Sequence, residues 1–138
     1  IMKLKRDGDL YKLTKDALTE TGFTFLYKKE TSEDILKTKG ALEINNDGLV
    51  INYCDKPKNY VQYYNAFWCA FAFRRRTFNS CMEFMEKSTL QLNVEPKDIQ
   101  STPIYGSKAI EIEDYIDLGT WAEIRRLLLS YEKDNQRL

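Results

Sequence analysis

From Asn65 to Phe73 the chain runs Asn-Ala-Phe-Trp-Cys-Ala-Phe-Ala-Phe, unbroken apolar residues once past the asparagine, in a sequence of which 30% is charged. That run is too short to cross a bilayer as a helix, which takes about 20 residues. Its length and aromatic content predict a central strand buried on both faces, and so a sheet with other elements packed against each side.

The neighbouring segments supply those elements. Leu10, Leu13, Ala17 and Leu18 follow helical spacing between Asp7-Gly8-Asp9, a start signal, and Gly22, a stop. Phe23 to Lys29 reads as a strand, and Thr31 to Asp34 as a short helical turn or loop. Asn45-Asn46-Asp47-Gly48 predicts a hairpin between two strands, because Asn and Gly tolerate positive φ. The second of those strands, Leu49 to Cys54, ends at Asp55-Lys56-Pro57, and a tyrosine-rich connection follows from Lys58 to Tyr64. Phe78, Cys81, Met82 and Met85 mark an amphipathic helix. Thr89 to Pro103 is irregular, broken by two prolines, and Lys108 to Glu113 alternates like a strand near a sheet edge. Thr120-Trp121-Ala122-Glu123 has the form of a capping box opening a last helix, with Trp121, Ile124, Leu127, Leu128 and Tyr131 on one face. The expectation is one α/β domain over residues 1–138, a mixed β-sheet with flanking helices.

Composition narrows the chemistry. Twenty-one basic residues balance 21 acidic ones, which argues against nucleic acid or an anionic membrane as partner, since both call for a basic excess. The chain has no histidine. An imidazole base, a His-ligated zinc and a Ser-His-Asp triad are therefore excluded within it. Its three cysteines, Cys54, Cys69 and Cys81, lack metal-ligand spacing, and two lie in apolar runs where Cys acts as a small hydrophobe. A reducing, cytoplasmic setting is expected. The opening residue, Ile1, fits a processed or partial product.

Gly40-Ala41-Leu42-Glu43, Asp47-Gly48, Asp55-Lys56-Pro57, Asn65-Ala66 and Asp117-Leu118-Gly119-Thr120 stand in one order. The series resembles the C-terminal half of the sugar-1-phosphate nucleotidyltransferases, whose pattern reads roughly G-V-V-E, D-G, E-K-P, N-A-G and D-x-G-T. The resemblance runs from about Phe23 to Leu129. It implies the C-terminal part of a Rossmann-like nucleotidyltransferase fold, a sugar-1-phosphate and an NTP as reactants, and Mg²⁺ as cofactor. The family's Gly-rich, nucleotide-binding loop is absent, so this chain alone is expected to be inactive.

By that resemblance Lys56 binds the sugar's phosphate, Gly40, Asp55 and Asn65 line the sugar site, and Asp117 binds Mg²⁺. Each residue also has a plainer reading. Lys56 suits a solvated turn, and Asp55 an Asx turn before proline. Gly40 suits a strand start, Asn65 a strand-entry cap, and Asp117 the positive end of a following helix. Asp55 stands where the family has Glu, and Phe67, followed by Trp68, where it has Gly. Gly8-Asp9 reads better as a helix N-cap than as a remnant of the family's other metal site. Arg74-Arg75-Arg76 reads as a solvated charge run, and Tyr60, Tyr63 and Tyr64 as a packing surface or a stacking platform. A non-catalytic binding or assembly module derived from the same fold is the alternative, pairing with a second copy or with the missing N-terminal half through exposed strand edges.

Overall fold

The computed structural model describes residues 2–4, 9–90 and 96–115, together with Trp121, Ile124, Arg125 and Leu129. Six strands form one mixed sheet: β1 (Met2–Leu4), β2 (Phe23–Lys29), β3 (Gly40–Ile44), β4 (Val50–Asp55), β5 (Ala66–Phe73) and β6 (Ile110–Tyr115), in the order β1-β6-β2-β5-β3-β4. Among these strands only β2 and β6 pair in parallel. Among the described residues the helices α1 (Leu10–Ala17), α2 (Glu33–Leu36) and α3 (Phe78–Thr89) accompany them. The α/β class and mixed sheet expected from the sequence are the observed ones.

The sheet's core face is aromatic. Phe23, Phe25 and Tyr27 recur at every second position of β2, so all three side chains point to the same side. There they meet Cys81, Phe84 and Met85 of α3, with Leu42, Ile44, Val50 and Tyr53 from β3 and β4. A 3₁₀ turn at Pro96–Ser101 and the loop after it close this layer with Ile99 and Ile104, both fully buried. The opposite face carries a smaller cluster, in which Leu36 of α2 and Val61 pack on Ala41 and Phe67.

This packing corrects the reading of β5. The strand is central, lying between β2 and β3, yet only Ala66 and Phe67 are buried, and Phe73 is exposed. Cover is incomplete on both faces: Trp68 and Phe71 lie at the margin of the α3 layer and Phe73 beyond it, and the second face has only a four-residue helix and a three-residue turn.

Local chemistry explains the ends of the elements. The Asp9 carboxylate accepts from the Tyr11 N–H at 2.9 Å and caps α1, as the N-cap reading requires. The helix stops at Ala17, short of Gly22, where the Thr19 hydroxyl donates to the Asp16 carbonyl at 2.7 Å and competes with further helix. In the hairpin, Asn45 Oδ1 accepts from the N–H groups of Asp47 and Leu49, and Gly48 takes φ +77°. Thr24, fully buried, donates to the Lys108 carbonyl at 2.7 Å and fixes the entry to β6. Trp121, Ile124, Arg125 and Leu129 are helical, with Trp121 85% exposed; the capping box and the rest of that face lie outside the described residues.

Phe25 packs against Phe23 of its own strand, Tyr53 of β4, and Trp68 and Phe71 of β5. Phe25→Ala should therefore destabilise the fold by about 3–5 kcal/mol, read by urea unfolding. A loss near zero would show that the aromatic layer is not the core.

Candidate functional site

At the end of the β3–β4 hairpin away from its turn, Gly40 pairs with Asp55. Lys56 follows, its N–H donating to the Lys39 carbonyl at 2.9 Å. Three residues of the expected sugar-phosphate site thus meet at one place. Lys56 is exposed and holds φ +49°, the left-handed region. For a residue with a Cβ that conformation costs about 1–2 kcal/mol, and the following Pro57 restricts the residue before it further. Buried Pro57 on one side and the bond to Lys39 on the other hold Lys56 there. The strain turns the chain sharply just after the carboxylate and leaves the ammonium in solvent.

The end of α3 reaches over the same corner. Ser88, buried, accepts from the Asp55 N–H at 3.4 Å. Tyr53, two positions before Asp55, has its phenol pushed up to about 12, by burial first and by the Asp55 carboxylate second. The Trp68 and Thr89 side chains lie close enough to the hydroxyl to oppose that rise. Trp68 itself covers Gly40. A Cβ added at Gly40 would collide with the indole nitrogen and stand 2.6 Å from Cδ1. Gly40 does not take a positive φ, so its missing side chain makes room for the indole rather than serving a backbone turn. The buried Trp68 N–H lies near the Tyr53 hydroxyl but makes no well-formed hydrogen bond.

Asn65 does not join this group. It lies across from the other end of β3, where its Oδ1 accepts from the Ile44 N–H at 3.0 Å and its Nδ2 donates to the Ile44 carbonyl at 2.8 Å. Ile44 lies four residue steps along the strand from Gly40, about 13 Å at about 3.3 Å per residue. The side-chain amide imitates a peptide unit and pairs with Ile44, where the β3–β4 register shifts. Its backbone N–H donates to the Leu42 carbonyl as well. This is the strand-entry cap among the sequence readings. Asp117 lies outside the described residues. Among those described, no three His, Cys, Asp or Glu side chains gather as a metal would require.

Other candidates separate by their partners. Arg74 Nε donates to the Leu18 carbonyl at 2.9 Å, pinning α1's exit. It borders an open hollow of about 260 Å³ with Tyr11, Thr14, Lys15 and Leu18. Tyr60 and Tyr63 are exposed and stack at 5.9 Å, whereas Tyr64 is half-buried and its phenol raised by burial and then by Cys54. Burial likewise pushes the thiols of Cys69 and Cys81 up to about 11, which leaves them protonated and poor nucleophiles at neutral pH. The sequence pointed to Gly40 and to Trp68 separately. Nothing local signals that β3 and β5 set one on top of the other, or that Tyr53 and Ser88 complete the corner.

No protein-family model matches this chain, and no characterised protein matches it either.

Two outcomes follow from this geometry. Lys56→Gly should stabilise the protein by up to about 1 kcal/mol, because glycine enters the left-handed region freely; a destabilised variant in thermal or urea unfolding would show that the conformation is not strained. Alkaline stability should carry the mark of Tyr53. Its folded pKa is raised from 10 to about 12, so its contribution is complete below pH 10 and disappears as pH rises to 12. A shift of that size corresponds to about 3 kcal/mol. Unfolding measured across pH 9–12 should show this loss in the native chain and a shallower one in Tyr53→Phe.

Proposed function

We propose that this chain is the sugar-phosphate-binding portion of a nucleotidyltransferase that joins an NTP and a sugar-1-phosphate to give a nucleotide sugar and pyrophosphate. The supporting observation is the convergence of Gly40, Asp55 and Lys56 at one corner, with Lys56 held in a strained backbone. Strain maintained by its surroundings concentrates at functional positions. The ordered series of motifs supplies the family, and with it the finer resemblance to the C-terminal part of a nucleotidyltransferase.

In this reading Asp55 accepts hydrogen bonds from adjacent sugar hydroxyls, since an ionised carboxylate offers two oxygens to paired donors. Lys56 holds the monoester phosphate as a compact, mobile cation. A phosphate oxygen of the sugar-1-phosphate attacks the α-phosphorus of the NTP, the bond to the β-phosphate oxygen breaks, and pyrophosphate leaves. Catalysis is mostly alignment and charge neutralisation, so no protein nucleophile is required. The donor chemistry of Asp117, one carboxylate alongside phosphate oxygens and waters, suits Mg²⁺. When bound, that ion would neutralise phosphate charge. The nucleotide pocket comes from outside this chain. Asn65 serves the site at a distance, by holding β3 in register.

A second reading, a non-catalytic binding or assembly module, draws on the exposed rings of Phe73 and Phe78, whose centroids lie 5.0 Å apart. Exposed apolar surface of this kind favours association with another chain.

Binding separates the two. Under the first reading, a panel of hexose 1-phosphates should raise the melting temperature of this chain, and Lys56→Ala should abolish that rise while Asp55→Asn weakens it. Stabilisation that survives Lys56→Ala unchanged would overturn the role given to Lys56.

A further inference from the structure

Three features meet at Trp68. Its indole occupies the space left by Gly40, a glycine whose backbone conformation does not need glycine. Its buried N–H lies near the Tyr53 hydroxyl without making a well-formed hydrogen bond to it, and a donor left under-satisfied in a folded protein costs stability. It also sits beside a break in the ladder. Leu26 pairs with Ala70 and Tyr27 with Trp68, so Cys69 is left over as a bulge. Bulges loosen a strand locally and re-aim the neighbouring side chain.

We propose that the Trp68 indole is a gate and specificity element. It lies over Gly40 when the site is free, swings off when a sugar enters, and then donates its N–H to a sugar oxygen. This rests on the sugar-phosphate reading of the corner. Trp68 as a residue is only partly buried. The Phe25 and Phe71 rings, at 6.0 and 5.7 Å, guide it as walls. Once the ring has moved, Gly40 offers bare backbone to the ligand. Asp55 and Trp68 then form a complementary pair, one accepting and one donating. Such a pair recognises a particular arrangement of hydroxyls, because a sugar with the wrong stereochemistry leaves one partner unpaired. The departures noted in the sequence fit here. Asp55 is shorter than the family's Glu, and a large, polar-edged Trp68 lies over Gly40, the residue paired with Asp55.

The chain has two tryptophans, so Trp121→Phe leaves Trp68 as the only indole emitter. Titrating that variant with hexose 1-phosphates should shift the emission and alter acrylamide quenching at saturation, whereas inorganic phosphate should not. Gly40→Ala in the same background should produce the shifted emission without ligand, because the methyl group displaces the ring. Trp68→Phe should still fold, since it keeps an aromatic ring against Phe25 and Phe71. It should weaken hexose 1-phosphate binding by about tenfold or more, the usual worth of one hydrogen bond in a closed site, and flatten selectivity among hexoses. It should leave inorganic phosphate binding at Lys56 unchanged. Unaltered affinity and selectivity in Trp68→Phe, while the native chain binds, would overturn the gate and leave the sugar-phosphate reading standing. Failure of the native chain to bind any hexose 1-phosphate would overturn both. If Trp68→Phe does not fold, the emission of Trp68 on ligand binding decides, and an unchanged spectrum at saturation refutes the movement.

Discussion

The antiparallel pairing of β2 with β5 is the contact on which the rest of the molecule depends. It sets Phe23 against Phe73 and Phe25 against Phe71 on one face of the sheet. The rings of Phe23, Phe25, Trp68 and Phe71 then form a continuous layer under α3. Aromatic pairs add directional preference to the area they bury, so this layer fixes register as well as cohesion. β3 joins the far side of β5, β4 joins β3, and the candidate corner inherits its geometry from that chain of pairings.

The outer side of β4 shows how an edge strand is managed without a further strand. Val50 exchanges backbone hydrogen bonds with Gly106 and Ser107. Beyond them, the Tyr53 N–H donates to the Asn52 side chain at 2.9 Å and the Asp55 N–H to Ser88. Side chains and a loop thus occupy groups that would otherwise invite another chain to pair. The same arrangement brings the end of α3 over Asp55. Protection of the edge and construction of the corner are one set of contacts.

How much of this was legible differs by kind of residue. Phe23–Lys29, the Asn45–Gly48 hairpin and the helix around Cys81 and Met85 follow from periodicity and turn chemistry, and the structure has them close to where they were expected. The burial of β5 did not follow. An apolar run records how its own residues prefer to be placed, not how far the elements packed on either face extend over them. Asn65 was equivocal, since an asparagine before a strand serves a ligand and a backbone equally well. Only its paired contacts with Ile44 assign it to the backbone. Tyr53 and Ser88 carry no motif, and their place beside Asp55 comes from the crossing of α3 over β4.

The sequence by itself determined the class of the molecule and the groups available to its chemistry. Strand and helix positions depend on local patterns, and a chain without histidine has none in any fold. Tertiary structure decided what those groups do together. Lys56 is left-handed because Pro57 is buried and Lys39 holds its N–H. Gly40 is shielded because β3 and β5 align it with Trp68. Each of these results joins residues far apart along the chain, where register and packing act and no local preference reaches.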